Sequence, residues 1–368
     1  MLTIGRSNWY GKGRLDSRSP GGLVAAALAG AWRLSPPMLE SSIEELAEII
    51  PQLLGSGAGA LGWWRVRLSE LNTDPVAFPL RQAYRFHNLQ AALREHAVQQ
   101  VVELLGSAGV VSVVVKGWTI ARLYPESGLR PYGDIDLCVM EEQYALAETV
   151  LKSPEGRRYP IDLHHGFASL DKKRRWDELY AHSFLVRLGG VDVRVLSAED
   201  HLRILCLHLL RHGAWRPLWL CDIAAALELR SAAFNWDHCL GENRQRADWV
   251  ACVIGLVHQL LGVSVEDTPV AKRAQRLPRW LVPKVLELWG APYPTCQAPM
   301  KYQAAMATYL RHPAGVLRDL RNRWPNPIEA TISVNGPLNG LPRLPFQLAA
   351  GLLRGTTFLE RLPRLLRE

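Results

Sequence analysis

The chain has 368 residues, 48% of them hydrophobic and 21% charged, which excludes a disordered polymer and leaves room for two or three domains. Its formal net charge of +8 favours anionic partners, whether nucleotides, nucleic acid, acidic peptides or an anionic membrane surface. Six cysteines without a Cys-x-x-Cys pair exclude a disulfide scaffold and a cysteine-based zinc site, and no apolar run reaches the ~18 residues of a membrane span, so a reducing cytoplasm is expected.

Residues 1–21 are rich in Gly, Ser and Arg and are expected to be loose. Gly22 to Trp32 reads as a buried helix rather than the core of a cleaved signal peptide. Ser42 to Leu54 carries Ile43, Leu46, Ile49, Ile50 and Leu53 at helical spacing, with Ser41 or Ser42 as cap and Glu44-Glu45 in the first turn. Gly55 to Gly62 predicts a break. A long helix is predicted over Pro79 to Leu105, with Tyr84, Leu89, Leu93, Val98, Val101, Val102 and Leu105 on one face.

The stretch from Val110 to Val139 then changes period. Val110 to Val115 is a β-branched run that reads as a buried strand and runs through Lys116 to Gly117. A short helical piece, Ile120 to Tyr124, and a Pro/Gly-marked loop lead to a second strand containing Asp134 and Asp136. Glu141 to Leu151 predicts a helix, Ile161 to His165 a short strand carrying Asp162, and Trp176 to His182 a further helix. Phe184 to Leu188 and Val191 to Leu196, separated by Gly189-Gly190, predict a hairpin that places Asp192 on a strand. Ser197 is the expected cap of the next helix, with Asp200 at its third position. From His201 to Arg230 the pattern is helical, broken at Gly213 and Pro217. Further helices are expected over Arg246 to Leu261 and Leu281 to Leu288, and one or two basic helices over Leu341 to Glu368. The predicted organisation is an N-terminal helical region (1–105), an α/β core with a small mixed sheet (106–200), a helical domain (201–300) and a basic C-terminal segment (301–368).

Asp134 and Asp136 stand two apart, and on a strand such residues share a face. Two carboxylates that close repel each other, and a divalent cation relieves the repulsion. Mg²⁺ takes carboxylate oxygens and keeps substrate phosphates among its other ligands, which suggests metal-assisted phosphoryl or nucleotidyl transfer. A third carboxylate is offered by Asp162, with Asp192 as the competing choice. His208 and His212 are four apart, but Leu209 stands where a zincin helix needs Glu, so they read as packing or substrate-side residues. Trp215, Trp219 and Asp222 read as residues that fix a helix pair.

This order of motifs, a Gly-containing turn, an Asp-x-Asp strand and a later acidic strand, resembles the nucleotidyltransferase fold, as in DNA polymerase beta. The closer resemblance is to a bacterial family of uncharacterised nucleotidyltransferases. It rests on Val115-Lys116-Gly117, on the block from Arg130 to Val139, on Ile161-Asp162-Leu163-His164-His165, and on Leu207 to Trp215 with Leu218 to Ala224. The resemblance implies that Asp134 and Asp136 hold two Mg²⁺ ions. It also implies that Asp162 binds one of them and serves as general base, and that an NTP is the substrate. It places pyrophosphate on the Gly117 backbone, with added charge from Lys116 or Arg130; Arg130 is alternatively a partner for Asp134. The fold's usual Gly-Ser pair is replaced by Lys116-Gly117-Trp118, with Thr119 as the substitute hydroxyl. Members of that family often lie near genes for modified peptides such as lasso peptides. The implied activity moves an NMP group to a hydroxyl or phosphate, with a peptide or protein acceptor favoured over RNA because no RNA-binding module is recognisable. The alternative is a degenerate transferase that binds a peptide or partner protein.

Overall fold

The computed structural model of the protein describes residues 18–166, 171, 174–291 and 324–365. The loose stretch expected at the N-terminus lies outside them up to residue 17, as do Cys296 and residues 301–323 of the basic segment.

The chain enters through three helices, each set by local chemistry. Helix α1 (Pro20–Leu28) is capped by Ser19, whose side chain accepts from the Gly22 amide. Helix α2 (Ile43–Gly55) opens with a reciprocal capping box between Ser42 and Glu45. The predicted break is shorter than Gly55 to Gly62, because α3 (Gly59–Val66) begins inside it. These glycines serve close packing: a Cβ on Gly59 would stand 2.8 Å from Leu54 Cδ2, and one on Gly62 3.0 Å from Leu53 Cδ1. The long helix α4 (Phe78–Ser107) buries Val98, Val101 and Leu105 as expected. Leu89 and Leu93 depart from that face and are 66% and 65% exposed. The C-terminal part of α4 lies on the sheet, and upstream of it Leu89 and Leu93 are left uncovered among the described residues.

The sheet contains β1 (Ser112–Val114), β2 (Ile135–Val139), β3 (Ile161–His165), β4 (Phe184–Leu188) and β5 (Val191–Val195), in the order β3-β2-β1-β5-β4. It is mixed: β1 runs antiparallel to β2 and parallel to β5, β2 runs parallel to β3, and β4–β5 is the predicted hairpin. Between the strands come α5 (Trp118–Ala121), α6 (Tyr144–Leu151) and α7 (Trp176–His182). One sheet face packs under α4 and α6 through Val98, Val101, Val114, Leu137 and Ala147; the other packs Val113 and Cys138 against Leu179 and Ile204. Burial on both faces is why the valine run that includes β1 reads as continuously apolar rather than alternating.

The remaining helices are α8 (Ala198–Arg211), α9 (Pro217–Glu228), α10 (Trp236–Leu240), α11 (Arg244–Leu261), α12 (Ala271–Ala274), α13 (Leu281–Gly290), α14 (Pro327–Ser333) and α15 (Leu344–Leu365). Ser197 caps α8 by accepting from the Asp200 amide, as its sequence predicts. One buried core joins both ends of the chain: Leu28, Leu46, Leu53 and Leu61 from α1–α3 pack with Leu205, Ile223, Val253 and Val285. The architecture is α/β, a mixed sheet flanked by N- and C-terminal helical regions. Among the described residues no helix is long and apolar enough to cross a membrane.

Candidate active site

The β1–α5 junction and the start of β2 open onto a cavity of about 640 Å³. Lys116, Gly117, Asp134, Asp136, Asp162 and His164 line its sheet side. The opposing wall brings His208 and Arg211 from α8, His212 and Arg216 from the turn that follows, and Trp219 from α9.

Strand pairing builds the acidic centre. Parallel pairing of β2 with β3 puts Asp136 in register with Asp162, and Cys138 with His164. Asp162 and His164 are two apart and share a face of β3. His164 Nε2 lies 3.2 Å from Asp162 Oδ2 and 3.4 Å from Asp136 Oδ1, so one imidazole bridges the two carboxylates. Ligand atoms of Asp136, Asp162 and His164 all fall within 4.8 Å of one another, a spacing that suits a metal ion. Asp134 lies outside that triplet, exposed at the cavity edge just before β2.

Asp136 is 6% exposed and faces a cation. Lys116 Nζ sits 2.6 Å from its Oδ1. Burial alone would raise the Asp136 pKa, but the His164 hydrogen bond and the Lys116 charge outweigh it and hold the carboxyl below its ordinary value. Lys116 therefore marks where positive charge belongs in this site.

Gly117 makes the turn possible. Its backbone adopts φ 59° and ψ −110°, a region that side chains with a Cβ avoid. A Cβ there would also come 3.2 Å from the Tyr132 ring and 3.3 Å from the Asp134 carbonyl. The helix that follows is one turn long, so its dipole adds little. Trp118, whose bulk departs from the fold's usual small residue, turns into the sheet core and does not line the cavity.

Two residues expected at the phosphates are engaged by neighbouring groups of the protein. Thr119 is fully buried; its hydroxyl bonds the Lys116 carbonyl and His201 Nε2, both at 3.2 Å. Arg130 lines the cavity, but the partner of its side chain is not Asp134. Its guanidinium forks onto buried Asp222, with Nη2 2.8 Å from Oδ2 and Nε 3.1 Å from both oxygens. Tyr124 donates to the same carboxylate at 2.8 Å. Burial lowers the Arg130 pKa, and the Asp222 charge more than offsets it, so the group stays cationic. This pair pins the loop before β2 to α9, which explains the acidic residue in the Leu218 to Ala224 motif.

Asp192, the competitor for third carboxylate, sits on β5 and pairs with Arg187 at 3.0 Å on the exposed hairpin. His208 packs edge-on and His212 tilted against Trp219, with ring centroids 4.7 and 5.2 Å away. Burial, then the nearby Lys116 charge, push the His208 pKa down to about 2, so its ring is neutral and no proton donor of the usual imidazolium kind. Sequence reasoning missed His164 as a member of the acidic centre. The period-2 rule applied to Asp162 would have found it.

A model of a family described as an uncharacterised nucleotidyltransferase matches residues 63–262, more than half of the chain. No curated protein and no solved structure matches it.

Proposed function

The chain belongs to the uncharacterised nucleotidyltransferase family, and from that membership we propose that it uses Mg²⁺ to move an NMP group from an NTP to a hydroxyl or phosphate acceptor. The family itself supports a general role in nucleotidyl transfer. The observation that carries the finer reading is the in-register pair Asp136–Asp162 with a cation already held on Asp136.

The donor set suits a hard divalent ion. Carboxylate oxygens from Asp136 and Asp162 face one cavity, and Asp134 stands two residues upstream at its edge. When bound, Mg²⁺ supplies charge to the entering and leaving oxygens of an in-line displacement. In this reading Asp134 and Asp136 would hold the ions, and Asp162 would take the proton from the acceptor hydroxyl. The acceptor oxygen bonds to the α-phosphorus, the bond from that phosphorus to the α–β bridging oxygen breaks, and pyrophosphate leaves with the electron pair. Lys116, which rests on Asp136 in the structure, would supply positive charge to the departing phosphates. Gly117 permits close approach of the backbone, and Arg211 and Arg216 give the opposite wall positive charge. A peptide or protein acceptor and a cytoplasmic setting are part of the proposal; the five described cysteines are buried free thiols, as a reducing compartment allows.

Thermal unfolding tests the site. Mg²⁺ or Mn²⁺ should raise the melting temperature, more so with NTP, by an amount equivalent to about 2.7 kcal/mol at a hundredfold excess over Kd. The Asp134→Asn/Asp136→Asn protein should keep its helical spectrum and lose the response. A response of the same size in that variant removes both residues from the site.

A further inference from the structure

Three elements converge at a second cluster of ligand atoms. His182 ends α7, Asp200 sits in the first turn of α8, and His238 lies in α10. We propose that His182, Asp200 and His238 form a second metal site, suited to a borderline ion of the zinc type, that ties the sheet region to the helical body. It shares no residue with the nucleotide site and stands or falls independently of the proposed activity.

One ligand atom from each of the three residues lies within 4.8 Å of the others. A tetrahedral ion with Zn–N bonds of roughly 2.0–2.1 Å needs ligand atoms roughly 3.3 Å apart. Closing that gap requires only side-chain adjustment, because the two imidazole centroids already stand 4.3 Å apart. His238 Nε2 is 2.9 Å from Asp200 Oδ2.

The surroundings have the arrangement that a metal ligand needs. His182 Nδ1 lies 2.7 Å from the Glu178 carbonyl, which only accepts, so Nδ1 carries the proton and Nε2 is left with its lone pair. Asp200 is fully buried, and its Oδ2 accepts from the Ser197 hydroxyl at 3.0 Å. Its other oxygen, Oδ1, is buried and has no hydrogen bond among the described residues. The nearest cation, Arg174 Nε, is 3.7 Å from Oδ1 and makes no hydrogen bond either. The rest of that guanidinium is committed to the Glu178 carboxylate and the His238 carbonyl. A buried carboxylate with an unsatisfied oxygen is costly, and a bound cation removes the cost.

The donor types choose the ion. Two imidazole nitrogens and one carboxylate oxygen fit zinc, whereas Mg²⁺ prefers oxygen alone. His182 is exposed, so a fourth position opens to water. Binding needs the lone pair of His238 Nε2, so the proton shared with Asp200 Oδ2 either moves to Nδ1 of that ring or leaves to solvent.

The test uses the full chain, freed of metal and given Zn²⁺ in the presence of millimolar Mg²⁺, with bound zinc counted after gel filtration. The Asp136→Asn/Asp162→Asn protein is run beside it to silence the acidic centre. One zinc per chain is expected in both. His182→Ala and His238→Gln should each weaken zinc binding by at least about a hundredfold. The exposed His182 is chosen because its loss leaves the fold intact, checked by an unchanged melting temperature without metal. No zinc in the wild-type chain, or equal zinc in His182→Ala, overturns the proposal.

Discussion

Asp162→Asn is expected to lower nucleotidyl transfer by on the order of a thousandfold while NTP affinity stays within a few fold, since positioned proton acceptance contributes about 10²–10⁴ to a rate. The side chain stands on β3, at the edge of the sheet, and is 50% exposed, so its replacement removes no core packing. It lies in register with Asp136 and shares His164 with it. Asp192→Asn is the control. Its exposed ion pair with Arg187 is worth less than ~1 kcal/mol, and β5 is separated from β2 by β1. Transfer by Asp192→Asn should match wild type in single-turnover assays. Loss of transfer there, with Asp162→Asn active, would move the third carboxylate to the hairpin.

Arg130→Ala should lower stability by about 3–5 kcal/mol, the usual result of leaving one member of a buried ion pair behind. Asp222 is fully buried and, among the described residues, would keep only the Tyr124 hydroxyl. The denaturation midpoint in urea should fall with little change in slope. Arg130→Met combined with Asp222→Leu should recover much of the loss, because the uncompensated charge is gone. The opposite pattern, unchanged stability with weakened NTP binding, would return Arg130 to the phosphates.

Much of the sheet is legible in the chain itself. The valine run, the Gly189-Gly190 turn and the acidic strands each carry their signal within a few residues. What lies beyond reach is pairing across distance. Arg130 and Asp222 are separated by 92 positions, and no local rule links them. The same holds for the register of Asp136 with Asp162, which depends on β3 joining β2 as a parallel neighbour. Thr119 shows the limit of motif reasoning: its place in the chain suits a phosphate contact, yet the single turn of α5 rotates it onto His201. Leu89 and Leu93 show the limit of periodicity, which identifies an apolar face but not whether anything covers it.

The most direct measurement is pyrophosphate release from each NTP by the purified chain, with Mg²⁺ and with chelator, alone and with a cell lysate supplying acceptors. Release that requires the divalent ion and disappears in Asp136→Asn is the predicted result. No release from any NTP, with Mg²⁺ and acceptors present, would contradict a nucleotidyl-transfer site built on Asp136 and Asp162 and leave the chain as a binding protein that retains the fold.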